Sequence, residues 1–239
     1  APLALSALTP ERVGEWLEAE TPKRGTQAAL AFRLLRAFIN WCEEQPEYKG
    51  IAAPDACARK VSREHLPKPK AKTDALQREQ LRLWFDSVGG IQNPTIAAYL
   101  QGLLITGARR EELANLRWDD VDFQWNSLTI RDKVEGERTI PLTPYLASLL
   151  RVLQAKNETA PTVRRLKTLK ERGEEWKPSP WVFSSQTSET GKLEEPGIAH
   201  RKALAAAGLP PVSLHGLRRS FGSLSEWCEV PVGVVAQIQ

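Results

Sequence analysis

The chain has 239 residues, 41% of them hydrophobic and 26% charged. That is the composition of a folded globular protein, which excludes disordered and fibrous classes and leaves room for one large or two modest domains. No apolar run approaches the about eighteen residues of a membrane span, and the opening APLALSALTPERVGEW lacks the basic flank and cleavage pattern of a secretory signal. A net charge of +4 leans toward a polyanionic partner but carries little weight alone.

In chain order, TPERVGEWLEAE predicts a short helix with Thr9 as cap and Pro10 in its first turn. TQAALAFRLLRAFINWCEEQ then repeats Leu30, Leu34, Phe38 and Trp41 at helical spacing, with Leu35 and Ile39 alongside, which predicts an amphipathic helix capped by Thr26. Trp16, Trp41 and Trp84 fall on apolar faces and are expected in the core. HLPKPKAKTDA, residues 65–75 and so including His65, alternates prolines with lysines as an extended, solvated linker does. From Arg59 to Lys72 six basic residues stand against one acid, Glu64.

Beyond the linker, QREQLRLWFDSVGG predicts a helix closed by Gly89 and Gly90, and TIAAYLQGLLITG a helix apolar nearly all round and therefore buried. The period then changes: LTIR and RTIPL flank a turn containing Gly136, the pattern of a hairpin. A charged helical stretch around TVRRLKTLKERGEEW, a short apolar run WVFSS and two helices, PGIAHRKALAAAG and LHGLRRSFGSLSEWC, complete the chain. The expected fold is mainly α with a small antiparallel β-sheet (α+β), with a helical unit at 1–64, a basic linker at 65–75 and a larger domain at 76–239. His200 is expected at the surface or as a cap. Cys42, Cys57 and Cys228 form no CxxC pair, so they are expected as small buried hydrophobes in a reducing compartment, with no structural zinc. The chain contains no methionine, so its natural start is missing or residues have been lost from within it.

Chemistry concentrates in two places. In TGARREELANLRW the buried helix ends at Gly107, and Arg109 and Arg110 follow at the mouth of the next helix. A guanidinium is planar, permanently charged and suited to bidentate phosphate contacts. Glu112, three residues after Arg109, shares its helix face and can hold it in place, although on these residues alone a plain surface ion pair is the favoured reading. In LHGLRRSF, His215 precedes Arg218 and Arg219. Lys133, read alone, is a solvated lysine on a charged turn.

TGARREEL, the hairpin with Lys133 ahead of Gly136 and Pro141, and HGLRRSF resemble, in order and approximate spacing, the motifs of the tyrosine recombinases, the phage integrase family. The resemblance runs from about residue 5 to the last residue. It implies a helical core-binding domain and a tyrosine-recombinase catalytic domain that clamp duplex DNA. Arg109, Lys133, His215 and Arg218 would then be catalytic, with Glu112 in support and with Arg110 and Arg219 as noncatalytic neighbours that can touch the DNA backbone. Arg24, Arg33, Arg36, Lys68, Lys70 and Lys72 are the candidates for DNA contact.

The implied reaction needs no metal and no other cofactor. Attack by a tyrosine adds negative charge to the nonbridging phosphate oxygens, and two aimed arginines stabilise that state preferentially. The family's G-H (or G-W) pair and nucleophilic tyrosine ordinarily follow the segment that here reads EVPVGVVAQIQ, and none of Tyr48, Tyr99 and Tyr145 matches that tyrosine. The expectation is therefore a piece of a prophage or genomic-island integrase, truncated at both ends and inactive in cleavage by itself. The expected partners are double-stranded attachment-site DNA and other copies of the chain, as a tetramer, in the cytoplasm on the nucleoid and with no membrane. The rival readings are a noncatalytic DNA-binding regulator or accessory factor that kept the fold, and a topoisomerase of the same chemistry.

Overall fold

A computed structural model describes residues 4–68, 72–132, 136–173, 175–194 and 196–239. The chain divides into two compact units, residues 1–72 and 73–239. Among the described residues, no helix is long and apolar enough to cross a membrane.

The first unit is built from α1 (Pro10–Glu44) and α2 (Arg59–His65). The Thr9 hydroxyl accepts from the Arg12 N–H at the start of α1. Arg24 interrupts that helix with non-helical φ/ψ of −151° and 58°, two residues after Pro22 and two before Thr26. The core contains Val13, Leu17, Phe32, Ile39, Ala56 and Val61.

Here the expected core face of the second half of α1 is corrected. Leu30, Leu34, Phe38 and Trp41 are exposed, whereas Ala28, Phe32, Ile39 and Cys42 are buried. The helix carries two apolar stripes on roughly opposite sides, and packing against α2 and its approach selects the second. Trp16 is likewise exposed, so of the three tryptophans expected in the core only Trp84 is buried there. His65 is not in a linker: it ends α2, and its ring lies over Gly14, where a Cβ would meet Nε2 at 2.8 Å.

The second unit contains α3 (Leu81–Gly89), α4 (Pro94–Thr106), α5 (Arg110–Ala114), β1 (Val121–Asp122), β2 (Ser127–Asp132) and β3 (Gly136–Pro141). There follow α6 (Pro144–Glu158), α7 (Val163–Glu171), α8 (Gly197–Ala206), α9 (Leu214–Trp227) and α10 (Val232–Ile238). The strands form one antiparallel sheet in the order β1-β2-β3, with Ile130 opposite Arg138 and Leu128 opposite Ile140. The short edge strand β1 was not apparent from the sequence.

Helix α4 is buried along nearly its whole length, and α3, α6 and α9 pack around it. Trp84, Tyr99, Leu100, Leu103, Leu128 and Phe183 are among the fully buried side chains that bind these elements into one core. Fully burying such side chains stabilises the unit by roughly 1.5–3 kcal/mol each. In contrast, α7 buries none of its residues.

Two further expectations are corrected. Cys42 and Cys57 are buried, but Cys228, at the end of α9, is exposed. His200 is 1% exposed, and its Nε2 accepts the Trp84 indole N–H at 3.1 Å. Position 200 lies on the inner face of α8 with Ala203 and Leu204, a face that the alanine-rich sequence marks weakly.

Burial pushes the His200 imidazole down from its ordinary 6.5 to about 4. Between those values the unfolded chain binds the extra proton, so the neutral, buried ring contributes stability that is full above pH 6.5 and is lost as pH falls toward 4. The whole window is worth about 3 kcal/mol. Melting curves between pH 7 and pH 4 should show this loss. His200→Gln, which keeps an acceptor for the indole and cannot titrate, should flatten it, and an unchanged pH slope in that variant would remove His200 as the cause.

Candidate active site

The site begins at the end of α4. Thr106 returns its hydroxyl to the Gly102 carbonyl at 2.7 Å and accepts from the Ala108 N–H at 3.2 Å, so the chain leaves the helix through a fixed turn. Gly107 takes the left-handed conformation, with φ of 61°. A Cβ at this position would meet the Phe221 ring of α9 at 2.5 Å, so glycine is required on both steric and conformational grounds.

Arg109 is the N-cap of α5, and the Glu112 side chain reaches back to it as acceptor. One Glu112 oxygen accepts from the Arg109 backbone N–H at 2.8 Å, and the other from Arg109 Nη1 at 2.7 Å. The Glu112 side chain is only 5% exposed, against 42% for Arg109, so the acid is a buried brace and the arginine reaches the surface. This decides against the reading as a plain surface ion pair.

A third group meets the same acid. Arg138 on β3 places Nη2 2.7 Å from Glu112 Oε2, and its Nε donates to the Ile238 carbonyl at 2.9 Å. Sequence reasoning missed Arg138. The signal was strand alternation: Arg138 is two residues from buried Ile140 and therefore on the same face, where an arginine needs an acid partner.

Arg218 approaches from α9. Its Nη1 donates to the Gly107 carbonyl at 2.6 Å and to the main-chain oxygen of Gln239, the last residue, at 2.8 Å, while the Gln239 side-chain amide donates back to the Arg218 carbonyl at 3.0 Å. Arg109 and Arg218, distant in sequence, are thereby set against one turn. His215 is exposed and one helical turn before Arg218 on the same side of α9.

Lys133, the expected hairpin lysine, lies outside the described residues, as does Lys70. The strand leading to Lys133 is anchored by Arg131, whose Nη2 is 2.6 Å from the buried Asp120 carboxylate. The two neighbouring arginines take separate roles. Arg110 is exposed and pairs with Glu111 at 2.6 Å. Arg219 turns away to pair with Asp74 and to donate to the Ser213 hydroxyl at 3.3 Å.

The other candidates for DNA contact belong mainly to the first unit. Arg24 pairs with Glu20 at 2.5 Å, Arg33 is exposed and donates to the Ala29 carbonyl at 3.3 Å, and Arg36 is half-buried. Lys68 and Lys72 are exposed.

Arg109 thus follows the Gly107 turn and Arg218 donates to it, with exposed His215 one helical turn before Arg218 and the buried Glu112 carboxylate behind Arg109. The chain belongs to the phage integrase family: residues 1–64 match the phage integrase core-binding domain and residues 91–238 match the phage integrase family domain.

Among individual relatives, the chain is 50% identical to the prophage integrase IntF of Escherichia coli (strain K12) over 238 residues, 99% of this chain and 47% of that protein. The chain thus spans about half the length of that relative. In fold it is similar to the XerH site-specific recombinase bound to its difH substrate in a pre-cleavage complex, with a TM-score of 0.73 at 18% identity over 98% of this chain and 64% of that one. It is also similar to a lambda integrase tetramer bound to a Holliday junction, with a TM-score of 0.67 at 14% identity over 100% of this chain and 65% of that one.

Proposed function

We propose that the chain is the phosphate-gripping part of a site-specific DNA recombinase. The full-length protein cleaves and rejoins duplex attachment sites through a 3′-phosphotyrosyl intermediate, to integrate or excise a prophage or genomic island. The observation that carries this reading is the junction of Arg109 and Arg218 at the Gly107 turn.

In the reaction a tyrosine oxygen attacks phosphorus and the bond to the 5′-oxygen breaks. Arg109 and Arg218 neutralise the charge that builds on the nonbridging oxygens. His215 accepts the tyrosine proton, and Lys133 delivers a proton to the departing 5′-oxygen. Glu112 and Arg138 touch no DNA and hold Arg109 in place.

On this reading none of the three tyrosines in these 239 residues is the nucleophile. Tyr99 is 1% exposed and its hydroxyl donates to the Arg110 carbonyl at 2.8 Å, and the Tyr145 hydroxyl donates to Gln101. Tyr48 lies in the first unit, away from the motif residues in sequence. Arg24, Arg33, Arg36, Lys68, Lys70 and Lys72 add backbone contacts, whose contribution to affinity falls with salt. Four copies act together on two duplexes on the nucleoid, a reading supported by the lambda integrase tetramer on its junction.

Full-length protein incubated with a nicked suicide substrate, without metal or ATP, should accumulate a covalent protein–DNA adduct. These 239 residues alone should retard the same DNA in a gel and form none. DNA binding with no adduct from the full-length protein would favour a noncatalytic regulator. Relaxation of supercoils without synapsis of two sites would favour a topoisomerase.

A further inference from the structure

The motif helix α9 is held at its start by a residue that the sequence places in the linker. Asp74 Oδ2 accepts both the backbone N–H of Ser213, at 2.9 Å, and its hydroxyl, at 2.6 Å. Ser213 is the N-cap of α9, and its hydroxyl in turn accepts the Gly216 N–H at 3.0 Å. The other Asp74 oxygen pairs with Arg219. Two residues on, the Leu76 N–H donates at 2.8 Å to Ser220, whose hydroxyl continues to the Gly216 carbonyl at 2.8 Å.

Gly216 completes the fit. A Cβ there would lie 2.5 Å from the Asp74 carbonyl oxygen and 2.7 Å from Oδ2, so the absent side chain is the space through which this strap passes. Burial would raise the Asp74 carboxyl, but the Ser213 hydroxyl and N–H and the Arg219 guanidinium outweigh it and hold it down to about 2. The strap is therefore charged at every pH at which the protein would be assayed.

We infer that Asp74 is a positioning residue for strand cleavage: through the Ser213 cap and the Gly216 gap it fixes the first turns of α9, and with them His215 and Arg218. An anchor serving only to tie the chain's entry to the second unit would need one contact. Here the contacts at 213, 216, 219 and 220 surround both motif residues on their own helix. The inference rests on the recombinase reading above for its chemistry, but not for its geometry.

The test therefore has two arms. In the first, backbone amide exchange is followed on the chain: Asp74→Ala should lower protection at residues 214–218 by about tenfold or more while α4 and α6 keep theirs. Unchanged protection overturns the positioning role whatever reaction the protein performs. Should Asp74→Ala fail to fold, Asp74→Asn, which preserves shape and an acceptor but not the pair with Arg219, serves in its place.

In the second arm, the single-turnover rate of adduct formation is measured with full-length protein at saturating DNA. Asp74→Ala should slow it by about tenfold with the DNA dissociation constant within about twofold. In an Arg218→Lys background the same change should cost less than about twofold, because neighbouring groups that act through one another are not additive. An equal loss in both backgrounds shows general destabilisation and overturns the inference. A wild-type protein that forms no adduct overturns the recombinase reading instead, and the exchange arm still decides whether Asp74 sets the helix.

Discussion

Full-length protein carrying Arg218→Ala should form the covalent adduct about 10²–10³ times more slowly than wild type at saturating DNA, the loss typical of removing one preorganised donor from a developing oxyanion. The expectation follows from how the residue is held. Nη1 donates to the Gly107 carbonyl, so on the recombinase reading the guanidinium meets the phosphate already oriented. Charge stabilisation of this kind acts mainly in the transition state, so the DNA dissociation constant should change far less than the rate. Arg218→Lys keeps a charge but offers a single ammonium in place of a planar, bidentate guanidinium, so it should fall between wild type and alanine. Adduct formation by Arg218→Ala at the wild-type rate would remove Arg218 from the reaction.

The second large effect is on stability. Glu112 is a buried carboxylate that answers the Arg109 N–H, the Arg109 guanidinium and the Arg138 guanidinium, whose side chain is itself only 18% exposed. Glu112→Gln keeps the volume but places an amide N–H₂ where one guanidinium now finds an oxygen, and it removes the charge that compensates Arg138. Breaking a buried pair by neutralising one partner costs about 3–5 kcal/mol, which lowers the melting temperature of a unit of this size by about 10 °C. Cleavage should fall as well, because Arg109 loses its brace. A melting temperature within about 2 °C of wild type would show that water replaces the acid and that the brace is dispensable. The double change Glu112→Gln with Arg138→Met should recover part of the stability and none of the cleavage.

Much of this arrangement is legible in the sequence, for reasons that differ between elements. Helix α4 could be read because a stretch apolar on every side has only one stable place, the interior. The hairpin could be read because period two and a glycine turn admit few alternatives. The pairing of Glu112 with Arg109 follows from helical spacing, since both ends of that contact belong to one short element.

What could not be read depends on contacts between elements distant in the chain. Two apolar stripes on α1 have equal claim by periodicity, and only packing within the first unit decides between Phe32 and Leu34. His200 is invisible as a core residue until Trp84 is placed beside it, 116 residues away in sequence. Arg138 has meaning only once β3 lies beside α5. Asp74 sits in a run whose prolines and lysines advertise solvent, yet its partners at 213 and 219 make it part of the second unit.

The turn at Gly107 has a consequence for the order in which the protein comes into being. The bond from Arg218 to its carbonyl joins positions 111 residues apart, and contacts of such separation close late, after the intervening chain is available. On the ribosome, Arg109 and its acid are made and can pair while α9 has yet to be synthesised. A nascent chain thus holds only half of the arginine pair, and the second half arrives with the segment whose ring fills the space beside Gly107. Closure of this arginine pair is in this way tied to completion of the fold.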